Sequence, residues 1–201
     1  FLGHVQSLTA QATFSSIRQL FNIQFFEPYF LDSLWRFRAT IYNFQFVFND
    51  FSRTSTGGTI GFGYPLTRFL TTDLTYTLET VDVTPGGRLG RANRNVGSIF
   101  RGGLTSSITL TLAYDTRNNR LFPTEGYLLQ GSAEVADSYL GSENEFTRLS
   151  GIGRIYFPLF WNVVLKFNLQ LGYISNWNSD TNQPVPVFER FFVGGPNSVR
   201  G

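Results

Sequence analysis

Apolar and polar side chains alternate along most of this chain, most cleanly in its second half. From Leu104 the even positions read Leu104, Ser106, Ile108, Leu110, Leu112 and Tyr114. The odd positions read Thr105, Ser107, Thr109, Thr111, Ala113 and Asp115. From Val163 the odd positions read Val163, Leu165, Phe167, Leu169, Leu171 and Tyr173, with Lys166, Asn168 and Gln170 between them. Successive side chains of a strand point to opposite faces, so each segment predicts a strand with one apolar and one polar face. Phe69–Glu79, Tyr127–Ala136 and Phe146–Phe157 repeat the pattern, and Val5–Phe14, Arg18–Glu27 and Gly58–Tyr64 carry it more weakly. The apolar phase of Trp35–Phe48 shifts near Tyr42, which predicts a bulge there. The chain reads as about nine strands, with no convincing helix.

Segment length narrows the architecture. Several segments run to about ten residues or more, against about five or six in a typical globular strand. A tilted strand crossing the hydrocarbon of a bilayer needs about 9–11. Aromatics near segment ends (Tyr64, Tyr114, Tyr127, Phe157, Trp161, Tyr173 and Trp177) suit interfacial girdles. Connections alternate between tight, as at Pro65–Arg68 and Pro158–Asn162, and long, as at Val83–Gly103 and beyond Asn176. Ser15-Ser16 and Asp115–Gly126 break that alternation. The expected fold is all-β: an antiparallel transmembrane β-barrel, here an incomplete wall. An open sheet edge in lipid leaves unpaired N–H and C=O groups, each costing several kcal/mol. The rest of the wall is therefore expected outside these residues.

Composition agrees without deciding. Of 201 residues, 17% are aromatic and only 15% charged, where soluble domains carry about 25% charged residues. A sheet with one lipid face and one wet face gives this balance, and so does a soluble β-sandwich serving as a binding module. The net charge of +2 gives no pull toward nucleic acid. With no cysteine, disulfides and thiolate metal sites are excluded. Phe1-Leu-Gly-His-Val-Gln has neither the basic start nor the apolar core of a signal peptide. No apolar run reaches the roughly 18 residues of a spanning helix.

Candidate chemistry is sparse. His4 is the only histidine, and no Ser–His–Asp set assembles around it. Asp73, Glu79 and Glu134 lie on polar strand faces and read as charges lining a hydrated lumen. Gly57-Gly-Thr-Ile-Gly-Phe-Gly63 lacks the Lys-Ser/Thr ending of a phosphate loop and reads as strand. Arg88, Arg91, Arg94 and Arg101 crowd one long loop with a single aromatic, Phe100, among them, which suits a solvated loop or contact with anionic headgroups and gives little platform for a nucleic acid. Neither a cofactor nor a metal site is expected.

Two segments stand out. Asp115-Thr-Arg-Asn-Asn-Arg-Leu-Phe-Pro-Thr-Glu-Gly-Tyr127 joins two well-patterned strands and holds the Pro, Asn and Gly of an irregular turn. Phe188-Glu-Arg-Phe-Phe-Val-Gly-Gly-Pro-Asn-Ser-Val-Arg-Gly201 places a sharp Gly-Gly-Pro fold before Arg200. If that loop enters a barrel, Arg200 needs a carboxylate partner, because an unpaired buried charge is very costly. If it stays outside, the arginine is solvated.

The first segment resembles the D-x-R-N-x-x-x-F-P-T-x-G turn of the BamA family. Asp115, Arg117, Asn118, Phe122, Pro123, Thr124 and Gly126 fall on that pattern. Gly194, Gly195, Val199, Arg200 and Gly201 match the family's GG…VRG loop. Glu27-Pro-Tyr-Phe30 is similar to its N-P-Y-F turn, with Glu in place of Asn. The VRG loop is shared with two-partner secretion transporters; the other two motifs favour the BamA family.

The resemblance implies that residues 1–201 form part of a C-terminal outer-membrane barrel, from about its third strand through its eleventh, ending in the VRG loop. POTRA domains, both seam strands and the acidic partner of Arg200 are expected outside these residues. It also implies a non-enzymatic foldase and insertase of the bacterial outer membrane, working through a lateral seam that templates incoming strands. Implied partners are the outer-membrane bilayer, unfolded β-barrel clients and accessory lipoproteins, with no nucleic acid. In this reading Asp115–Gly126 is a periplasmic turn. Arg200 forms an ion pair in the lumen, seated by Val199 and Gly201. A two-partner secretion pore is the alternative.

Overall fold

The structure, a computed structural model, describes residues 6–15, 18–47, 51–85, 102–161, 163–176, 185 and 189–190. Nine strands follow one another: β1 (Ser7–Phe14), β2 (Arg18–Glu27), β3 (Arg36–Val47), β4 (Phe51–Pro65), β5 (Leu70–Pro85), β6 (Gly103–Asp115), β7 (Gly126–Ala136), β8 (Phe146–Pro158) and β9 (Val164–Ser175). Each pairs antiparallel with the next in a single sheet ordered β1 to β9. The strands run from 8 to 16 residues, and most are long enough to cross a bilayer when tilted.

Register makes the two faces continuous around the wall. Leu74 lies opposite Phe62 on β4 and Leu110 on β6. From Leu110 the same row continues through Ala133 and Leu149 to Tyr173. The neighbouring row runs from Gly61 through Thr75, Thr109 and Glu134 to Arg148. Directly opposed residues share a face, so one side of the sheet is apolar and the other carries the charges.

Nothing among the described residues covers the apolar side. Among these residues only Val81, Ala136, Phe146 and Tyr156 are buried hydrophobics, whereas Leu110 is 45% and Leu169 61% exposed. A β-sandwich would bury this face against a second sheet about 10 Å away. The sandwich reading therefore fails, and the apolar side is the outer surface of a barrel wall.

Aromatics gather at one end of that surface. Trp35 packs on Tyr64 with ring centroids 5.0 Å apart, and Tyr114 stacks on Tyr127 at 5.7 Å. Phe157 meets Phe167 at 6.4 Å and Phe160 meets Trp161 at 5.6 Å. This end carries the connections 28–35, 66–69, 116–125 and 159–163, as expected of a girdle. Tyr173 lies toward the opposite end of β9, and Trp177 is outside the described residues.

The bulge expected in β3 is absent. That strand keeps unbroken register with β2 from Phe37 to Phe46 and with β4 from Arg36 to Val47. The apolar phase shifts because Tyr42, Phe44 and Phe46 point inward. Arginines cover two of these inner rings, Arg53 over Phe44 at 5.3 Å and Arg18 over Phe46 at 5.1 Å. Cation–π contact makes an aromatic row compatible with a polar lumen.

The glycine-rich run lies in β4, as its alternation predicts. A Cβ at Gly57 would stand 2.6 Å from the Leu78 carbonyl oxygen and 3.0 Å from the Tyr42 hydroxyl. One at Gly63 would collide with Asp73 and Arg36, which form an ion pair at 3.2 Å. Gly63 thus leaves room for an inner-face ion pair, and Gly57 for the Tyr42 hydroxyl and the close backbone of β5. Beyond Ala136, loop 137–145 takes over pairing with β6: Glu143 N–H donates to the Leu104 carbonyl at 2.8 Å. The Ser106 N–H donates to Ser142 Oγ at 3.1 Å. His4, Arg88, Arg91, Arg94 and Arg101 lie outside the described residues.

In the complete barrel, Leu110→Arg is expected to lower stability by about 2–4 kcal/mol, and Thr109→Arg, one position on, by less than about 1 kcal/mol. Urea unfolding in lipid vesicles measures both. Equal losses would reverse the assignment of faces.

Candidate functional site

The turn between β6 and β7 is built by its own polar side chains. Asp115 receives Arg117 in a two-pronged ion pair, Nε to Oδ1 and Nη2 to Oδ2, both 2.9 Å. The Arg117 backbone N–H also donates to Asp115 Oδ1 at 3.1 Å. Asp115 holds the Arg117 guanidinium above its usual pKa by this hydrogen bonding. Asn118 spans the turn: its Nδ2 donates to Thr124 Oγ1 at 2.6 Å and its Oδ1 accepts the Thr124 N–H at 3.1 Å. Asn119 Oδ1 accepts from the N–H groups of Leu121 and Phe122, at 2.8 and 3.1 Å.

Gly126 closes the turn at φ +93°, and a Cβ there would lie 2.5 Å from the Thr116 carbonyl oxygen. Left-handed backbone beside a close carbonyl requires glycine. Asp115, Arg117, Asn118, Thr124 and Gly126 therefore act together in one turn. Pro123 is half-buried, and Phe122 stands 80% exposed at the tip.

On the inner face the carboxylates that looked scattered along the chain are each paired. Glu79 accepts the Tyr42 hydroxyl at 2.6 Å and Arg53 Nη2 at 2.9 Å. Glu134 accepts Ser107 Oγ and Arg148 Nη1, both at 2.8 Å. Arg148 also lies 4.8 Å from the centre of the Phe146 ring. These groups surround a cavity of about 470 Å³ on the lumen side.

A residue that sequence reasoning missed completes the cluster. Glu189, fourteen positions beyond the end of β9, reaches back to Arg148. Arg148 Nη2 donates to the Glu189 carboxylate and, at 3.0 Å, to its backbone carbonyl. One guanidinium thus bridges Glu134 of the wall and Glu189 of the returning chain. Burial pushes the Glu189 carboxyl above its ordinary pKa, opposed by Arg148. The available signal was a charged Glu-Arg pair inside the apolar run before the glycines. Gly194, Gly195, Val199, Arg200 and Gly201 lie outside the described residues.

A sequence model of the Omp85 superfamily domain matches residues 1–201. The chain belongs to the Omp85 superfamily. Among its relatives, the SAM50-like protein CG7639 of Drosophila melanogaster is 26% identical over 219 residues, covering 100% of this chain and 46% of that protein. The outer membrane protein assembly factor BamA of Nitratidesulfovibrio vulgaris is 29% identical over 206 residues, covering 99% of this chain and 24% of that protein. This Omp85 chain therefore spans less than half the length of either. The crystal structure of BamA from Haemophilus ducreyi lacking POTRA domains 1–3 superposes with a TM-score of 0.80. It is 18% identical, covering 98% of this chain and 40% of that one, and establishes the fold as that of the BamA barrel.

Arg148→Ala strands one carboxylate of the Omp85 wall and one of the returning chain, and is expected to cost about 3 kcal/mol, the scale for breaking a largely buried ion pair. Asn118→Ala, on an exposed turn, is expected to cost about 1 kcal/mol. Denaturant midpoints of the complete barrel check both, and a reversed ranking would contradict the geometry.

Proposed function

We propose that this Omp85 chain is part of the wall of an outer-membrane barrel that assembles β-barrel proteins and inserts them into that membrane. The observation that carries the reading is a sheet whose uncovered apolar face suits hydrocarbon while its other face is lined by paired charges. Family membership and the likeness to BamA of Nitratidesulfovibrio vulgaris, an outer membrane protein assembly factor, support it. In this reading residues 1–201 are about the third to eleventh strands of a C-terminal barrel. POTRA domains, both seam strands and the remaining wall belong to the rest of the protein.

The work is non-enzymatic: exposed backbone at a seam templates an incoming strand, and no group in the lumen breaks a covalent bond. Partners are the bilayer, unfolded β-barrel clients and accessory lipoproteins. The bacterial outer membrane is the proposed location, with animal relatives matching over the same span. Asp115–Gly126 serves as a periplasmic turn. Arg200 pairs with an acidic residue of the later wall, and Gly194, Gly195, Val199 and Gly201 shape the loop that presents it.

Replacing Arg200 with Ala in the full-length protein, as the only copy in cells, is expected to lower the amount of folded outer-membrane barrels. Heat-modifiable migration of those clients on gels measures it. Unchanged client levels would remove the role given to Arg200. Lost export of one secreted partner with normal client folding would favour a two-partner secretion pore.

A further inference from the structure

The turn between β6 and β7 spends at least six polar contacts on holding a tip that packs against little. Leu121 is 83% exposed and Phe122 80%, although their backbone N–H groups are tied down by Asn119. Apolar side chains held rigidly in water gain nothing from the order imposed on them unless something covers them. Beside this tip a cavity of about 550 Å³ opens against the ends of β8 and β9.

The charges around the cavity indicate what fits. Arg117, Arg120, Arg154 and Lys166 line it, and no carboxylate stands among its described lining residues. The nearby Asp115 is already committed to Arg117 and lies 3.7 Å from Arg120, whose side chain is 80% exposed. Lys166 sits over the Tyr156 ring at 5.9 Å, and Arg154 Nε donates to Asn168 at 3.3 Å. Register also decides which side of the wall the cavity occupies. Arg154 opposes Asn168 and Tyr156 opposes Lys166, all on the lumen face, while Tyr127 and Phe157 belong to the outer girdle. A lipid headgroup at the girdle is on the wrong side of the sheet to reach Arg154 and Lys166.

We propose that this mouth is a docking site for an acidic polypeptide segment carrying an aromatic or aliphatic side chain next to its carboxylates. The cations take the carboxylates, and Leu121 and Phe122 take the apolar side chain. Under the assembly reading, on which only the origin of the segment rests, it belongs to an incoming client. Charge complementarity at an open rim acts mainly on capture and selectivity.

The test uses the complete protein in neutral-lipid nanodiscs and a short fluorescent peptide of alternating Glu and Phe. Fluorescence anisotropy is expected to show saturable binding that weakens in high salt. Arg120→Glu is expected to weaken it about tenfold. Phe122→Ser, also at an exposed position and so compatible with folding, should weaken it severalfold. Arg154→Ala with Lys166→Ala should do the same wherever heat-modifiable migration shows the barrel intact. Failure of the peptide to bind overturns the proposal, as do affinities unchanged by these substitutions. Equal binding of a Lys–Phe peptide or a Glu–Ser peptide removes the charge or the apolar half and overturns it too. Displacement by phosphatidylglycerol vesicles but not by unlabelled peptide would make it a lipid site. Binding is read without client assembly, so a loss here leaves the assembly reading standing, and the reverse.

Discussion

An unbroken antiparallel ladder from β1 to β9 is the constraint on which everything else here rests. Side chains repeat with period two along a strand, so a slip of one residue at any pair would turn that strand's apolar row into the lumen. No pair slips. The row through Phe62, Leu74, Leu110, Ala133, Leu149 and Tyr173 crosses six strands without leaving the outer face. With no second layer over that face among the described residues, the apolar rows would be a severe liability in water and are a requirement in lipid. The same ladder supplies the backbone hydrogen bonds that a spanning segment must find within the protein.

The inner face shows what the ladder makes possible. Register sets Glu134 directly opposite Arg148, while Arg53 reaches diagonally across from the neighbouring strand to Glu79 at 2.9 Å. Facing arginines and carboxylates share the cost of sitting partly out of water, and aromatic rings beneath several guanidinium groups share it further. Gly63 clears the space taken by the Asp73–Arg36 pair, and Gly57 that of the Tyr42 hydroxyl bonded to Glu79. The result is a wall whose inner surface is braced by charge, on which the chain returning past β9 lands through Glu189.

The two ends of the wall differ in how their connections hold shape. At the girdle end, the β6–β7 turn is stiffened by Asp115, Asn118, Asn119 and a left-handed Gly126, so its cationic and apolar side chains keep fixed positions at the mouth. At the other end, loop 137–145 substitutes for a strand partner along β6, with Asn144 Nδ2 donating to Thr105 at 2.9 Å. Rigid presentation at one end and extended pairing at the other both follow from side-chain hydrogen bonds replacing the ladder where it stops.

Local pattern alone determined a great deal about this protein. Period-two alternation placed the strands and their faces, segment length pointed to a membrane wall, and Asn, Pro and Gly between Asp115 and Tyr127 marked a built turn. Each is legible because it depends on neighbours in sequence and on backbone geometry that any residue string must obey. Tertiary structure decided the partners. Alternation says that Glu134 and Arg148 face the lumen, but only the β7–β8 register sets them opposite each other. Nothing local to Glu189 says that it folds back onto β8. The same limit explains the bulge wrongly expected at Tyr42. An aromatic row looks apolar in sequence, and it is the arginines brought over it by β2 and β4 that let it face water without breaking the strand.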